Sequence, residues 1–286
     1  AEAMLTAPGV RRVDFASPLG EPALCAPDSV SWRVFKNPVT LFIGGVTAVL
    51  LEFAEPRVRS GVWEHSTFRT DPVGRLRRTG LAAMVTVYGA RSIAERMIAG
   101  VVRMHDRVAG ATPEGQAYHA NDPALLNWVQ ATASFGFLEA YHRYAYRLSN
   151  AERDSFFAQS GTAAALYGAV GAPRCEAEWL TLLDATASTF ERSDIVFEFL
   201  DIMRSAKALP GPAILAQGLL VRAAVEITPP VARRALGLDA GYALRPLERH
   251  LVKRMARRAE KLCLRTAPPA QACVRMGLPA NYLYRA

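Results

Sequence analysis

The sequence predicts a single all-α domain, and three observations carry that prediction. An Asp-Pro dipeptide, an N-cap acceptor followed by proline at the first helical position, opens two apolar stretches, at Asp71-Pro72 and Asp122-Pro123. Pro and Gly clusters then break the chain into segments of helical length, at Gly171-Ala-Pro173, Pro210-Gly-Pro212 and Pro229-Pro230. No series of alternating strands is present, nor any repeat of 20 to 50 residues or compositional break that would mark a linker. The 286 residues are 51% hydrophobic and 21% charged, so one large core can be buried.

Residues 1 to 26, rich in Pro and Gly, read as an irregular arm lying over the body. Asp28 can cap a short helix through Trp32 and Phe35, which Pro38 closes. Val39 to Ala54 is apolar nearly all round and reads as a buried helix. Its Gly44-Gly45 pair lets another helix, or a flat ligand, approach the backbone. From Asp71 the spacing predicts a helix to Tyr88, stopped by Gly89. A second begins near Ser92 and ends before Gly110. Thr112 to Asn121 reads as a loop, followed by a long helix towards Tyr146. Ser149-Asn-Ala-Glu152 is a capping box, and helices are expected over 152–169, 176–190, 194–207 and 212–227. The last runs from about Pro246 to Arg265.

Several function classes lack their motifs. There is no HExxH, no GxSxG and no phosphate-binding glycine loop. Cys25, Cys175, Cys263 and Cys273 form no CxxC pair, so neither zinc nor a disulfide framework is supported, and a reducing, cytoplasmic setting is expected. The longest apolar run, Val39 to Leu51, falls short of the about 20 residues a bilayer span needs.

Two segments stand out chemically. Arg75, Arg78 and Thr79 lie at i, i+3 and i+4, on one face of the Asp71 helix at the mouth of an apolar stretch. Ile93, Met97, Val101, His105 and Val108 form one stripe on the next helix. A neutral imidazole on such a face can ligate an iron, or can be a core histidine bonded to a carbonyl. Arginine and threonine facing it can hold an anionic or polarised group, or can pair with surface carboxylates such as Glu64 and Asp71. His65, His119 and His142 sit in polar contexts and read as surface residues.

The formal charge of +8 permits an anionic partner without choosing one. Much of it lies on the 245–265 helix: Arg245, Arg249, Lys253, Arg254, Arg257, Arg258 and Lys261, with Leu247, Leu251, Met255 and Leu262 as the apolar side. Such a helix is a solvated face or a peripheral contact with an anionic membrane. The absence of interleaved aromatic residues argues against nucleic acid.

The ordered set Asp71-Pro-x-x-Arg75-x-x-Arg78-Thr79-Gly80, Tyr88-Gly89, Met104-His105-x-x-Val108-x-Gly110, Tyr118-x-Ala120-x-Asp122-Pro123 and Trp128-Val129 resembles a known family. It is similar to the oxygenases grouped with latex-clearing protein (rubber oxygenase) and the MpaB-type oxygenase of mycophenolic acid biosynthesis, over roughly residues 40 to 200. The resemblance implies an all-helical domain with a globin-like core and haem b, its iron held by His105. It also implies Arg75 and Thr79 near the distal side, dioxygen as co-substrate, and an apolar, isoprenoid or lipid-like small molecule as substrate, reached along Val39–Leu51 and Met84–Val87. Arg78 falls where rubber oxygenases carry lysine. A guanidinium stays protonated and cannot cap iron as an amine can, so no amine-capped state is expected. Gln130 and Glu55 stand where relatives often have histidine, and Glu64 is the nearest candidate for their acidic residue. A non-catalytic haem- or lipid-binding protein of the same fold is the alternative.

Overall fold

In a computed structural model the described residues, 13–209 and 211–285, form an all-α domain. Its helices are α1 (Val30–Phe35), α2 (Pro38–Ala54), α3 (Pro56–Glu64), α4 (Pro72–Tyr88), α5 (Arg91–His105), α6 (Pro123–Ala140), α7 (Asn150–Tyr167), α8 (Glu176–Ala187) and α9 (Asp194–Ser205). They continue as α10 (Gln217–Ile227), α11 (Pro230–Leu236), α12 (Pro246–Ala259) and α13 (Pro268–Arg275). No single helix among the described residues is long and apolar enough to cross a membrane.

The centre of the molecule is the crossing of α2 and α6. Ile43, Leu50, Leu51 and Phe53 on α2 are wholly buried, as expected of a helix apolar on every side. Gly44 and Gly136 face each other at the crossing, and a side chain on either would strike the other helix's backbone. Trp128 on α6 donates its indole N–H to the Leu51 carbonyl at 3.2 Å. Thr47 reaches the Ala224 carbonyl of α10 at 3.2 Å. Of the two uses open to the glycine pair, Gly44 thus serves close helix packing.

Local chemistry corrects several boundaries. Ser29, not Asp28, caps α1, its hydroxyl accepting from the Trp32 N–H at 3.2 Å. Glu55 caps α3 by accepting from the Val58 N–H at 2.8 Å, and that short helix was not anticipated. The long helix from Asp122 stays α-helical only to Ala140 and widens into a π-turn over Tyr141–Ala145. The last basic helix stops at Ala259, six residues early, in a turn. The expected loop after α5 contains an antiparallel hairpin, Ala109–Ala111 with Ala117–His119, pairing Gly110 with Tyr118. Its strands, Ala-Gly-Ala and Ala-Tyr-His, are three residues long, too short to carry an alternation that a sequence could betray. Gly110 is needed for that pairing more than for ending α5, because a Cβ there would lie 2.5 Å from the Tyr118 hydroxyl.

The described part of the N-terminal arm does lie over the body; residues 1–12 fall outside the described set. Arg275, 1% exposed, pins it by donating to the Phe15 and Glu21 carbonyls, each at 2.9 Å. The Glu21 carboxylate in turn accepts from the Ser92 N–H at 2.6 Å, at the start of α5. Arg275→Ala should therefore strand two carbonyls and cost on the order of 3 kcal/mol. Chemical denaturation checks this, and an unchanged midpoint would mean that the arm is not held by this residue.

Candidate functional site

The site is built on a helical hairpin. Asp71 caps α4 by accepting from the Gly74 N–H at 2.9 Å, and Gly89-Ala90 joins α4 to α5, which packs against it. Arg75 lies in the first turn of α4 and His105 ends α5. They are near enough for the arginine charge to act on the imidazole.

Arg75 is held firmly. Its guanidinium stacks 5.3 Å from the centre of the Phe68 ring and donates to the Thr79 hydroxyl, which donates to the Arg75 carbonyl at 3.0 Å. Burial pulls its pKa down, and the Glu52 carboxyl opposes that. Arg78 behaves otherwise. It reaches back to the Thr67 hydroxyl at 2.6 Å and to the capping Asp71 at 3.4 Å, with its side chain 45% exposed. The structure thus joins Arg75 and Thr79, and turns Arg78 outward to the rim.

Glu52, near the end of α2, was missed as a site residue. Its carboxyl has no hydrogen-bond partner among the described residues, and burial raises its pKa to about 7 against the pull of Arg75. Glu64, the weaker acidic candidate, is occupied elsewhere, accepting from the Tyr118 hydroxyl at 2.8 Å.

His105 is the last residue of α5. Its Nδ1 is buried without a partner, and burial chiefly, with Arg75, lowers its pKa. Asn121 lies beside the ring and favours the protonated form, and the Asn121 Oδ1 is likewise unpartnered. That amide is anchored by donating to the Val102 carbonyl at 3.1 Å and to the Asp106 carboxylate at 2.7 Å. The hairpin folds the chain back so that the Ala120 N–H reaches the Val108 carbonyl at 2.9 Å, which carries Asn121 to the helix end. Asn121 is thus a second residue the sequence reading overlooked, because it sits in what reads as loop.

The remaining histidines have local tasks. His119 and His142 accept backbone N–H groups through Nδ1, each at 3.1 Å, and His65 lies 3.3 Å from the Tyr118 hydroxyl. Glu139 and His142 have the Glu-x-x-His spacing of di-iron helices, but Glu139 pairs with Arg153 at 3.0 Å. No group of three or more His, Cys, Asp or Glu side chains could hold a metal ion among the described residues.

The model of the ER-bound oxygenase mpaB/B′/rubber oxygenase catalytic domain matches residues 32–261. The chain belongs to the mpaB/rubber oxygenase family. The match takes in the whole α4–α5 hairpin and Glu52, and extends beyond the 40–200 core on both sides. No curated protein and no solved structure matches the chain. An oxygenase catalytic domain is therefore the setting in which His105, Arg75, Thr79 and Glu52 are to be understood.

Proposed function

We propose that this mpaB/rubber oxygenase family member is a haem b-dependent oxygenase acting with dioxygen on an apolar, isoprenoid or lipid-like substrate. The observation that carries the reading is His105: a half-buried imidazole at the end of α5 whose Nδ1 is buried beside Asn121, within reach of the half-buried Arg75. With Nδ1 beside the Asn121 carboxamide, Nε2 has no hydrogen-bond partner among the described residues and is the ring nitrogen open to a ligand. A single histidine with no companion ligands among the described residues suits a metal whose other ligands come from a macrocycle.

Haem, when bound, would supply the redox chemistry that dioxygen requires. The protein's own residues have separate tasks. Burial keeps the His105 ring neutral and so able to ligate. A proton held on Nδ1 beside the Asn121 carboxamide would leave Nε2 for the iron, the outer-shell arrangement that orients ligating histidines. Arg75 offers fixed guanidinium donors to an anionic group, a propionate or a reduced oxygen species, and Thr79 holds that guanidinium in place. Glu52 can hold or release a proton on its carboxyl near neutral pH, which suits it to proton transfer at the Arg75 side. Arg78, paired with Asp71 at the rim, offers a guanidinium and no amine that could cap the iron. Partly buried Leu76, Leu81, Met84 and Met97 on α4 and α5 give an apolar substrate surface to lie against.

Purified protein mixed with haem should develop a Soret band, and His105→Ala should abolish or shift it. An identical spectrum in that variant would remove His105 as the ligand. Oxygen consumption with a reductant and apolar alkenes then separates an oxygenase from a haem carrier of the same fold.

A further inference from the structure

The basic helix α12 contains a second feature. Its inward side is narrow: Val252 and Ala256 are wholly buried, and Arg249 pairs with Glu226 at 2.8 Å. Its acidic residues are engaged on the same side. Glu248 pairs with Arg222 at 3.2 Å, and Glu260, in the turn that follows, pairs with Lys36 at 2.8 Å and accepts from Tyr141.

The outward side is different. Lys253, Arg254, Arg257, Arg258 and Lys261 make no ion pair with any described residue. With His250 they surround an open groove of about 340 Å³ that has no acidic wall. Leu247 and Leu251, which the sequence placed on an apolar side, do not face the core; they are 85% and 50% exposed. At 3.6 residues per turn Lys253, Arg254, Arg257, Arg258 and both leucines share an arc of roughly 160°, and Lys261 follows in the turn after the helix. Beyond the helix, Leu262 continues the pattern at 54% exposure.

Unpaired cations beside exposed leucines are what an anionic bilayer surface binds: phosphates meet the cations, and leucines enter the headgroup boundary. Nucleic acid would use the cations but leave the leucines without a role, and it gains from stacking aromatics that this face lacks. We propose that the outward face of α12 docks the protein on anionic lipid bilayers. This docking holds whether or not the site at His105 binds haem.

The test is co-sedimentation of the full chain with vesicles of phosphatidylcholine alone and of phosphatidylcholine mixed with phosphatidylserine. The protein should pellet with the mixed vesicles and not the neutral ones, and salt should release it. Lys253→Gln with Arg257→Gln should weaken binding roughly 25-fold, about fivefold per charge. Leu247→Ser with Leu251→Ser should weaken it several-fold while keeping the salt dependence. All four positions carry no core contact of weight, and circular dichroism checks that the variants fold. Failure to bind mixed vesicles, equal binding to neutral ones, or variants that bind like the parent would each overturn the proposal. So would RNA binding or self-association through these residues in place of vesicle binding.

Discussion

Glu52→Gln should stabilise the protein at about pH 8 and change little below about pH 4.5. In the folded chain burial raises the carboxyl's pKa from 4.5 to about 7, so the folded state binds the proton more tightly than the unfolded one. Stability from this group is therefore greatest in acid and is lost as pH rises through that window, with the full penalty present above it. The shift corresponds to roughly 3 kcal/mol, which water's access to the half-buried side chain reduces to about 2. For a chain of this size that is about 4–8 °C in melting temperature. Glutamine keeps the shape and removes the charge, and the attraction lost to Arg75 is already counted within the net pKa. Melting curves of both proteins across pH check the sign. A variant less stable than the parent at both ends would mean that Glu52 is fully paired, not strained. A cost of this kind, retained beside an arginine and a candidate ligand, is what a site that moves protons would carry.

The α4–α5 hairpin was legible because its signals are local. Asp71-Pro72 sets the start, Gly89 the stop, and the i, i+3, i+4 spacing of Arg75, Arg78 and Thr79 follows from helical geometry. The same spacing cannot say which guanidinium turns inward. Arg78 is drawn out by Asp71, the cap of its own helix, while Arg75 meets the Phe68 ring from a segment with no sequence pattern of its own. Glu52 was hidden because its significance lies in what α2 packs against, not in the residues beside it in the chain. Asn121 was hidden by a hairpin of Ala, Gly and Tyr too short to show a period. The basic helix shows the converse: its amphipathic pattern was read, but the pattern does not say whether Leu247 and Leu251 face a core or the outside.

The adjacent glycines of α2 should respond to alanine in opposite directions. A Cβ on Gly44 would lie 2.7 Å from the Gly136 carbonyl oxygen and 2.7 Å from the Phe137 Cα, both backbone atoms of α6. Neither can swing aside, so the central crossing must open, disturbing the wholly buried Leu50 and Leu51 and the Trp128 hydrogen bond. Overpacking of this kind costs typically about 1–3 kcal/mol, and separating two helices at the core places Gly44→Ala at the upper end. The better helix propensity of alanine returns at most about 1 kcal/mol, leaving a net loss of roughly 2. A Cβ on Gly45 would meet only the edge of the Phe137 ring, at 3.9 Å, an ordinary contact. Gly45→Ala should therefore gain about 0.5–1 kcal/mol from reduced freedom of the unfolded chain. Urea denaturation of the two variants reads both signs. If Gly44→Ala were neutral, α2 and α6 would not approach at that point. The end of α2, with Glu52, would then lose the contact that fixes its place opposite α4.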